Sequence, residues 1–378
     1  MKSIRSVLWI LIALIMTAPS RAETKVTVKP APFAGRRVRT ITDAKDAVHF
    51  VFNREGNVFY SRRDSGTTEF SEPIRVNTID KCAAVADLAV GADGRIHILY
   101  HGNIFYVRDR IKNENRKLDG RDIKYTFYSR LNKAGDSFED QREMSGGVWG
   151  FDGGCAVAAD PSGNVYLFFN GTTTAGGEQV RHVFLSRSTD NGDSFSKPAP
   201  IDLGKGVCAC CHLSATVNAK GELLLVYRVA EAGVNRDSYL LTSRDQGKTF
   251  RPSALDHWEL RACPGSLYSF ATSGGSTFVS WHNQDDIYFA AAGSRNFLRP
   301  PDKTMKRRAA ILGGNAKGEV LIAWSEGADF NKPHDLRWQL YDKTGQPIGN
   351  VGVKADAFER WGNPAIYADA NGDFVILF

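Results

Sequence analysis

The sequence predicts an all-β chain built as a propeller of four-stranded sheets, six or seven in number. Three observations predict it: a turn phrase that recurs four times, an apolar hairpin that recurs seven times, and the lack of any helix-length amphipathic pattern beyond the first 22 residues. A repeat outranks a length prior, so the chain of 378 residues is read as one repeat domain rather than two.

The turn phrase occupies residues 61–70, 129–138, 188–195 and 243–250, and each copy follows an apolar run. The cleanest copies are Ser188-Thr-Asp-Asn-Gly-Asp-Ser-Phe195 and Ser243-Arg-Asp-Gln-Gly-Lys-Thr-Phe250. Asp and Ser side chains can bond the backbone of a hairpin turn, Gly accepts positive φ, and the closing Phe can plug the turn. Asp190 and Asp245 are therefore read as turn formers, not as substrate contacts. The phrase resembles the Asp-box, or BNR repeat, of the sialidase superfamily.

The second repeat is an apolar stretch, a Gly-containing turn and a β-branched or aromatic strand. It is seen at 83–100 and 155–169 and again around 36–52, 212–227, 264–281, 307–324 and 362–378. The first four copies lead on to a third strand, a turn phrase and a fourth strand. The fifth and sixth keep the strands and lose the phrase, and six units are expected to be complete. The seventh stops at Phe378, to be completed by a strand near Thr24–Val28 or closed against the first unit. Sheets that cannot bury their faces alone stack radially. Sialidases have six blades, so the resemblance and the repeat count leave six or seven open.

Residues 1–22 read as a secretory signal, with Lys2 and Arg5 before an apolar run from Val7 to Met16 and a small-x-small site at Ser20-Arg21-Ala22. The expected mature chain is residues 23–378, periplasmic or secreted, monomeric, with no membrane span after signal removal. The chain has 48 Lys and Arg against 42 Asp and Glu; three of the basic residues lie in the signal, leaving 45 against 42, or +3. That balance gives no reason to expect a nucleic-acid partner.

In an antiparallel blade the start of strand 1 and the end of strand 2 share one face. Reading those positions gives Arg36/Arg37, Cys82, Cys155, Cys211/His212, Cys263, Arg307/Arg308 and Trp361, and then Asn53/Arg54, His101, Asn170, Arg228, His282 and Ser325/Glu326. The resemblance implies that this face is the mouth that holds a ligand, opposite the Asp-boxes. The insertion 102–124, rich in both signs of charge, would overhang it. Trp149 and Trp361 precede first strands, where either could stack on a sugar, whereas Trp258, Trp281, Trp324 and Trp338 are expected to pack between blades. His49 and His97 are expected in the core.

A sialidase needs three arginines to clamp a carboxylate, a Tyr nucleophile with a Glu base, and an Asp acid/base. Arg37 matches the opening of the family's Arg-Ile-Pro motif without its Pro, and Arg228 matches a second clamp position. His212 stands where the Glu is expected and Arg307 where the Tyr is expected; no Asp near Arg54 fits the acid/base. The resemblance thus implies a glycan-type or other anionic ligand held by Arg37, Arg228, Arg307 and Trp361, with exo-α-sialidase-like hydrolysis if activity survives and catalytic residues unassigned.

The cysteine usage opens a different reading. Val207-Cys-Ala-Cys-Cys-His212 puts three of six cysteines in one segment. An exported chain with an even cysteine count is most simply disulfide-bonded, here among Cys82, Cys155, Cys208, Cys210, Cys211 and Cys263, with the connectivity open. The alternative is a soft-metal site for Cu or Zn built from Cys208, Cys210, Cys211, His212, His101 and His282. A non-catalytic interaction scaffold is the third reading.

Overall fold

The computed structural model describes residues 23–78, 83–102, 125–327, 332–359 and 362–378; of residues 37 and 83–85 only the backbone is described. The signal, Cys82, the insertion from residue 103 to 124 and Trp361 lie outside the described residues. The fold is all-β, with seven sheets following one another around a ring.

Each sheet begins at the axis. The first strands of blades 1 to 7 are Arg36–Thr42, Ala83–Val90, Cys155–Ala159, Ser214–Val217, Ser269–Ser273, Arg307–Gly314 and Ala365–Ala368. Second strands such as Val165–Gly171 and Val320–Glu326 are buried along their whole length, because a neighbouring blade covers each face. That explains their continuous apolar runs where a half-exposed strand would alternate. Outer strands such as Arg251–Ala254 are exposed throughout. The core is therefore seven inter-blade layers, not one central mass.

Five sheets have four strands and two have three. Blade 5 falls short of the expected complete unit: after Asp286–Ala291 its fourth strand is reduced to a single bridge between Phe289 and Leu298. Blade 7 is closed by the N-terminal strand Val26–Lys29, which pairs in parallel with Phe374–Leu377. The ring is thus shut by both ends of the described chain.

The two clean turn phrases have one geometry. In the first, Asp190 Oδ1 accepts from Ser188 Oγ at 2.6 Å and from the Ser194 amide at 2.9 Å, while Ser188 Oγ accepts from the Gly192 amide at 2.8 Å. In the second, Asp245 repeats this with Ser243 Oγ at 2.8 Å, the Thr249 amide at 2.9 Å and Thr249 Oγ1 at 2.6 Å. These bonds, Ser188 first, hold the Asp190 carboxyl down at about 2. The closing phenylalanines do more than plug their own turns. Phe70 meets Tyr367, Phe138 meets Tyr60 and Phe195 meets Tyr128, so each stitches its blade to the preceding one.

Candidate functional site

Registers show that starts of first strands and ends of second strands do share a face: Arg36 pairs with Asn53, Ala84 with His101 and Arg307 with Glu326. Down the axis runs a cavity of about 120 Å³ lined by first strands, with Arg39 and Asp87 as its charged groups. Burial pushes the Asp87 carboxyl up, against the opposing pull of Arg39.

The segment of residues 207–212 crosses the rim between blades 3 and 4 and is pinned on every side. The amides of Val207 and Ala209 donate to the Glu178 carbonyl at 3.0 Å and to Glu178 Oε1 at 2.7 Å. The Cys208 amide donates to the Arg228 carbonyl at 3.0 Å, and the His212 amide to the Ser266 carbonyl at 2.9 Å. From blade 3, the Gly153 amide donates to the Ala209 carbonyl at 3.0 Å. A Cβ on Gly153 would collide with the Cys210 carbonyl, so glycine there is what lets the segment dock. Glu178 is itself held by Arg236 at 2.6 Å.

This docking collects four sulfurs from two blades. Cys210 is bonded to Cys263, 53 residues away, joining the entrances of blades 4 and 5. Cys208 and Cys211 remain thiols, 0% and 1% exposed, with their Sγ atoms 2.7 Å apart. Cys208 Sγ also lies 3.7 Å from Cys210 Sγ. The hydrogen bond with Cys211, then burial, raises the Cys208 thiol well above its usual value. Burial would raise Cys211 too, but the bond from Cys208, the Arg228 charge and Ser266 carry it below the usual thiol value.

The structure separates the expected metal ligands. The Sγ atoms of Cys208, Cys210 and Cys211 lie within 4.8 Å of one another, the donor set a soft ion would use. The bond to Cys263 removes Cys210 from that set, leaving two thiols. His212 is half-buried beside the cluster. His282 is one residue removed, its Nδ1 3.3 Å from Ser266 Oγ, with Nε2 buried and unpartnered. His101 belongs to another contact, with Nε2 at 3.0 Å from the Gly154 carbonyl and Nδ1 at 3.1 Å from Thr126 Oγ1. Cys155 does not join the rim sulfurs; its Sγ lies 3.7 Å from the Leu99 carbonyl between blades 2 and 3.

Two of the three arginines expected to face a ligand are interior. Arg228 is 0% exposed. It donates to the carbonyls of Arg236 and His282 and to Tyr268 Oη at 3.2 Å, with Asp256 at 3.7 Å. Arg307, also 0% exposed, donates to the carbonyls of Pro300 and Pro301 and pairs with Asp286 and Glu326, each at 3.3 Å. Both guanidinium groups are spent within the protein and serve as posts under the rim. The Arg37 side chain is not described.

Sequence reasoning passed over two features. Cys208 and Cys211 have Cys-x2-Cys spacing, masked by Cys210 between them. Trp258, expected between blades, is half-buried on the mouth side, over the Arg228 guanidinium at 5.0 Å and edge-on to His282 at 5.1 Å.

No protein-family model and no curated protein matches this chain. Solved structures do. A Hadza microbial sialidase, Hz136, is 13% identical, with 83% of this chain and 69% of that one covered and a TM-score of 0.50. The Trypanosoma rangeli sialidase solved with the inhibitor DANA is 11% identical, with 79% and 52% covered and a TM-score of 0.50. The fold is a sialidase-like β-propeller. The Aleuria aurantia lectin, a six-bladed propeller that recognises fucose, is 13% identical, with 87% and 99% covered and a TM-score of 0.51. This propeller spans about half the length of the T. rangeli enzyme, and its seventh sheet distinguishes it from the six-bladed lectin.

Proposed function

We propose that this chain is an exported, monomeric propeller that binds a glycan-type ligand at its mouth without hydrolysing it. The observation that carries the reading is an arc of the rim across blades 3 to 5 that ends in two half-buried indoles, Trp149 and Trp258, with the pinned segment 207–212 between them. Indole faces suit the apolar faces of sugar rings, and a rigid polar backbone between them suits hydroxyl recognition. The fold's neighbours support a glycan ligand: one is a sialidase solved with the inhibitor DANA, and another is a lectin with a fucose recognition mode. Export rests on the signal-like residues 1–22.

Binding is preferred to hydrolysis because Arg228, aligned with a clamp position, is internally satisfied. A buried guanidinium holding carbonyls and a carboxylate cannot turn to a ligand without leaving those partners unpaired. His212 also stands where a catalytic Glu is expected. The test is calorimetric titration with fucosylated and sialylated oligosaccharides, beside a fluorogenic sialoside assay. The expected result is saturable binding, lost in Trp258→Ala with the fold intact, and no turnover. Turnover, or binding indifferent to both Trp149→Ala and Trp258→Ala, would refute the reading.

A further inference from the structure

Four cysteines meet at the rim in two chemical states. Cys208 and Cys211 are a buried dithiol, while the Cys210–Cys263 disulfide lies toward solvent, with Cys210 half-buried and Cys263 exposed. The link between the two states is Cys208, whose Sγ is 2.7 Å from Cys211 Sγ and 3.7 Å from Cys210 Sγ. A thiol that can ionise beside a disulfide sulfur is the arrangement that thiol–disulfide exchange requires. Cys-x2-Cys spacing is also one that closes a disulfide locally.

We propose that this rim is a thiol–disulfide exchange site, in which the bond moves between Cys210–Cys263 and Cys208–Cys211. Cys208 gives up its proton and attacks Cys210 Sγ; the Cys210–Cys263 bond breaks, and Cys263 leaves as a thiolate that takes up a proton. Cys211, deprotonated, then attacks Cys208 Sγ. That closes Cys208–Cys211 and releases Cys210, which is protonated in turn. Two thiols and one disulfide enter and two thiols and one disulfide remain, so no external oxidant is consumed.

The exchange changes the surface. With Cys210–Cys263 intact, the entrances of blades 4 and 5 are stapled together. With Cys208–Cys211 closed, the staple opens and an exposed Cys263 thiol appears, able to exchange with a small disulfide or a partner's cysteine. Burial protects the inner pair from direct attack, so exchange with an outside partner passes through Cys263. This holds whether or not the mouth takes a glycan.

Trypsin places Cys208, Cys210 and Cys211 in peptide 206–220 and Cys263 in peptide 262–295. The full-length protein, incubated at neutral pH without reductant and quenched with N-ethylmaleimide under denaturing conditions, is mapped by mass spectrometry. Two species are expected: the two peptides linked, and peptide 206–220 with an internal disulfide beside labelled Cys263. In Cys208→Ser the second species should be lost. Cys211→Ser, a separate variant should the first not fold, should lose it too. The linked species alone at all times, with both inner thiols labelled in the wild type, would overturn the proposal. So would a stoichiometric Cu or Zn ion that shields the inner pair from labelling until a chelator is added.

Discussion

A guanidinium with no solvent exposure must find all its partners in the protein. Arg228 finds two carbonyls, a tyrosine hydroxyl and Asp256 from four different parts of blades 4 and 5. Removing one member of such a set leaves the others buried and unpaired, a cost of about 3–5 kcal/mol. Arg228→Ala should therefore lower the unfolding free energy by that amount, read as a lower urea midpoint at unchanged slope. Arg228→Lys should recover little, since a point charge cannot replace the planar fork. A variant at wild-type stability with altered ligand binding would show that the arginine faces the mouth after all. The sequence reading placed Arg228 at the correct end of the correct strand. It could not say that the side chain turns inward, because that depends on Tyr268 and Asp256, 40 and 28 residues on.

His97 shows the same inwardness with a pH consequence. Its ring is 0% exposed, with Nδ1 2.6 Å from Tyr128 Oη. Burial drives its value down from 6.5 to about 4, with nearby Asp93 opposing and Arg130 assisting. The unfolded chain, with an ordinary imidazole, binds this proton first. Stability is therefore fully present above 6.5 and is lost as pH falls toward 4, by about 3 kcal/mol for a shift of this size. Melting temperature measured across that window should fall steadily, and His97→Gln should flatten the slope. An unchanged slope in that variant would assign the acid sensitivity to other groups, His282 first, since its burial also depresses it. The expectation that His97 is a core residue holds, since its place in a second strand buried from Ile96 to His101 is visible in the sequence as an apolar run around it.

At the scale of strands and turns, legibility follows the range of the interactions. The turns at 188–195 and 243–250 are built by bonds spanning two to four residues, so their chemistry is written in the phrase itself. The hairpins are legible for the same reason. Blade 5 departs from its expected four strands because nothing local reveals whether an outer strand will find enough partners to persist; the bridge at Leu298 is what remains of it. The rim segment lies at the far extreme. Val207-Cys-Ala-Cys-Cys-His212 advertises its sulfur, but its conformation is dictated by Glu178, Gly153, Arg228 and Ser266, which belong to three blades. Hence the cluster was foreseeable as composition, while the choice of Cys263 as partner of Cys210 and the exclusion of Cys155 were not.

For the whole molecule, the ring has one seam. Val26–Lys29 supplies the only parallel strand pair among the described residues, and Val26 and Val28 pack against the layer containing Phe374 and Ile376. Flanking bonds reinforce it, with the Phe374 amide donating to the Lys25 carbonyl at 2.8 Å and Thr24 Oγ1 to Glu319 at 2.6 Å. A charge placed in that layer forfeits apolar burial and meets no partner. Val28→Asp should cost about 2–3 kcal/mol, read as a lower urea midpoint. A smaller unfolding slope would accompany it if the seam frays before the rest. No loss of stability would mean that blades 1 and 6 hold blade 7 without the closing strand.

By itself the sequence determined the repeat, and with it the hairpins, the turn chemistry and the face on which strand ends gather, because these follow from periodicity and from bonds between near neighbours. Only the tertiary structure decided that Arg228 and Arg307 are sealed posts, that Cys210 takes Cys263, and that Cys208 and Cys211 are left side by side as thiols. Those outcomes depend on distances between blades, and residues from different blades come within bonding range only once the ring has closed.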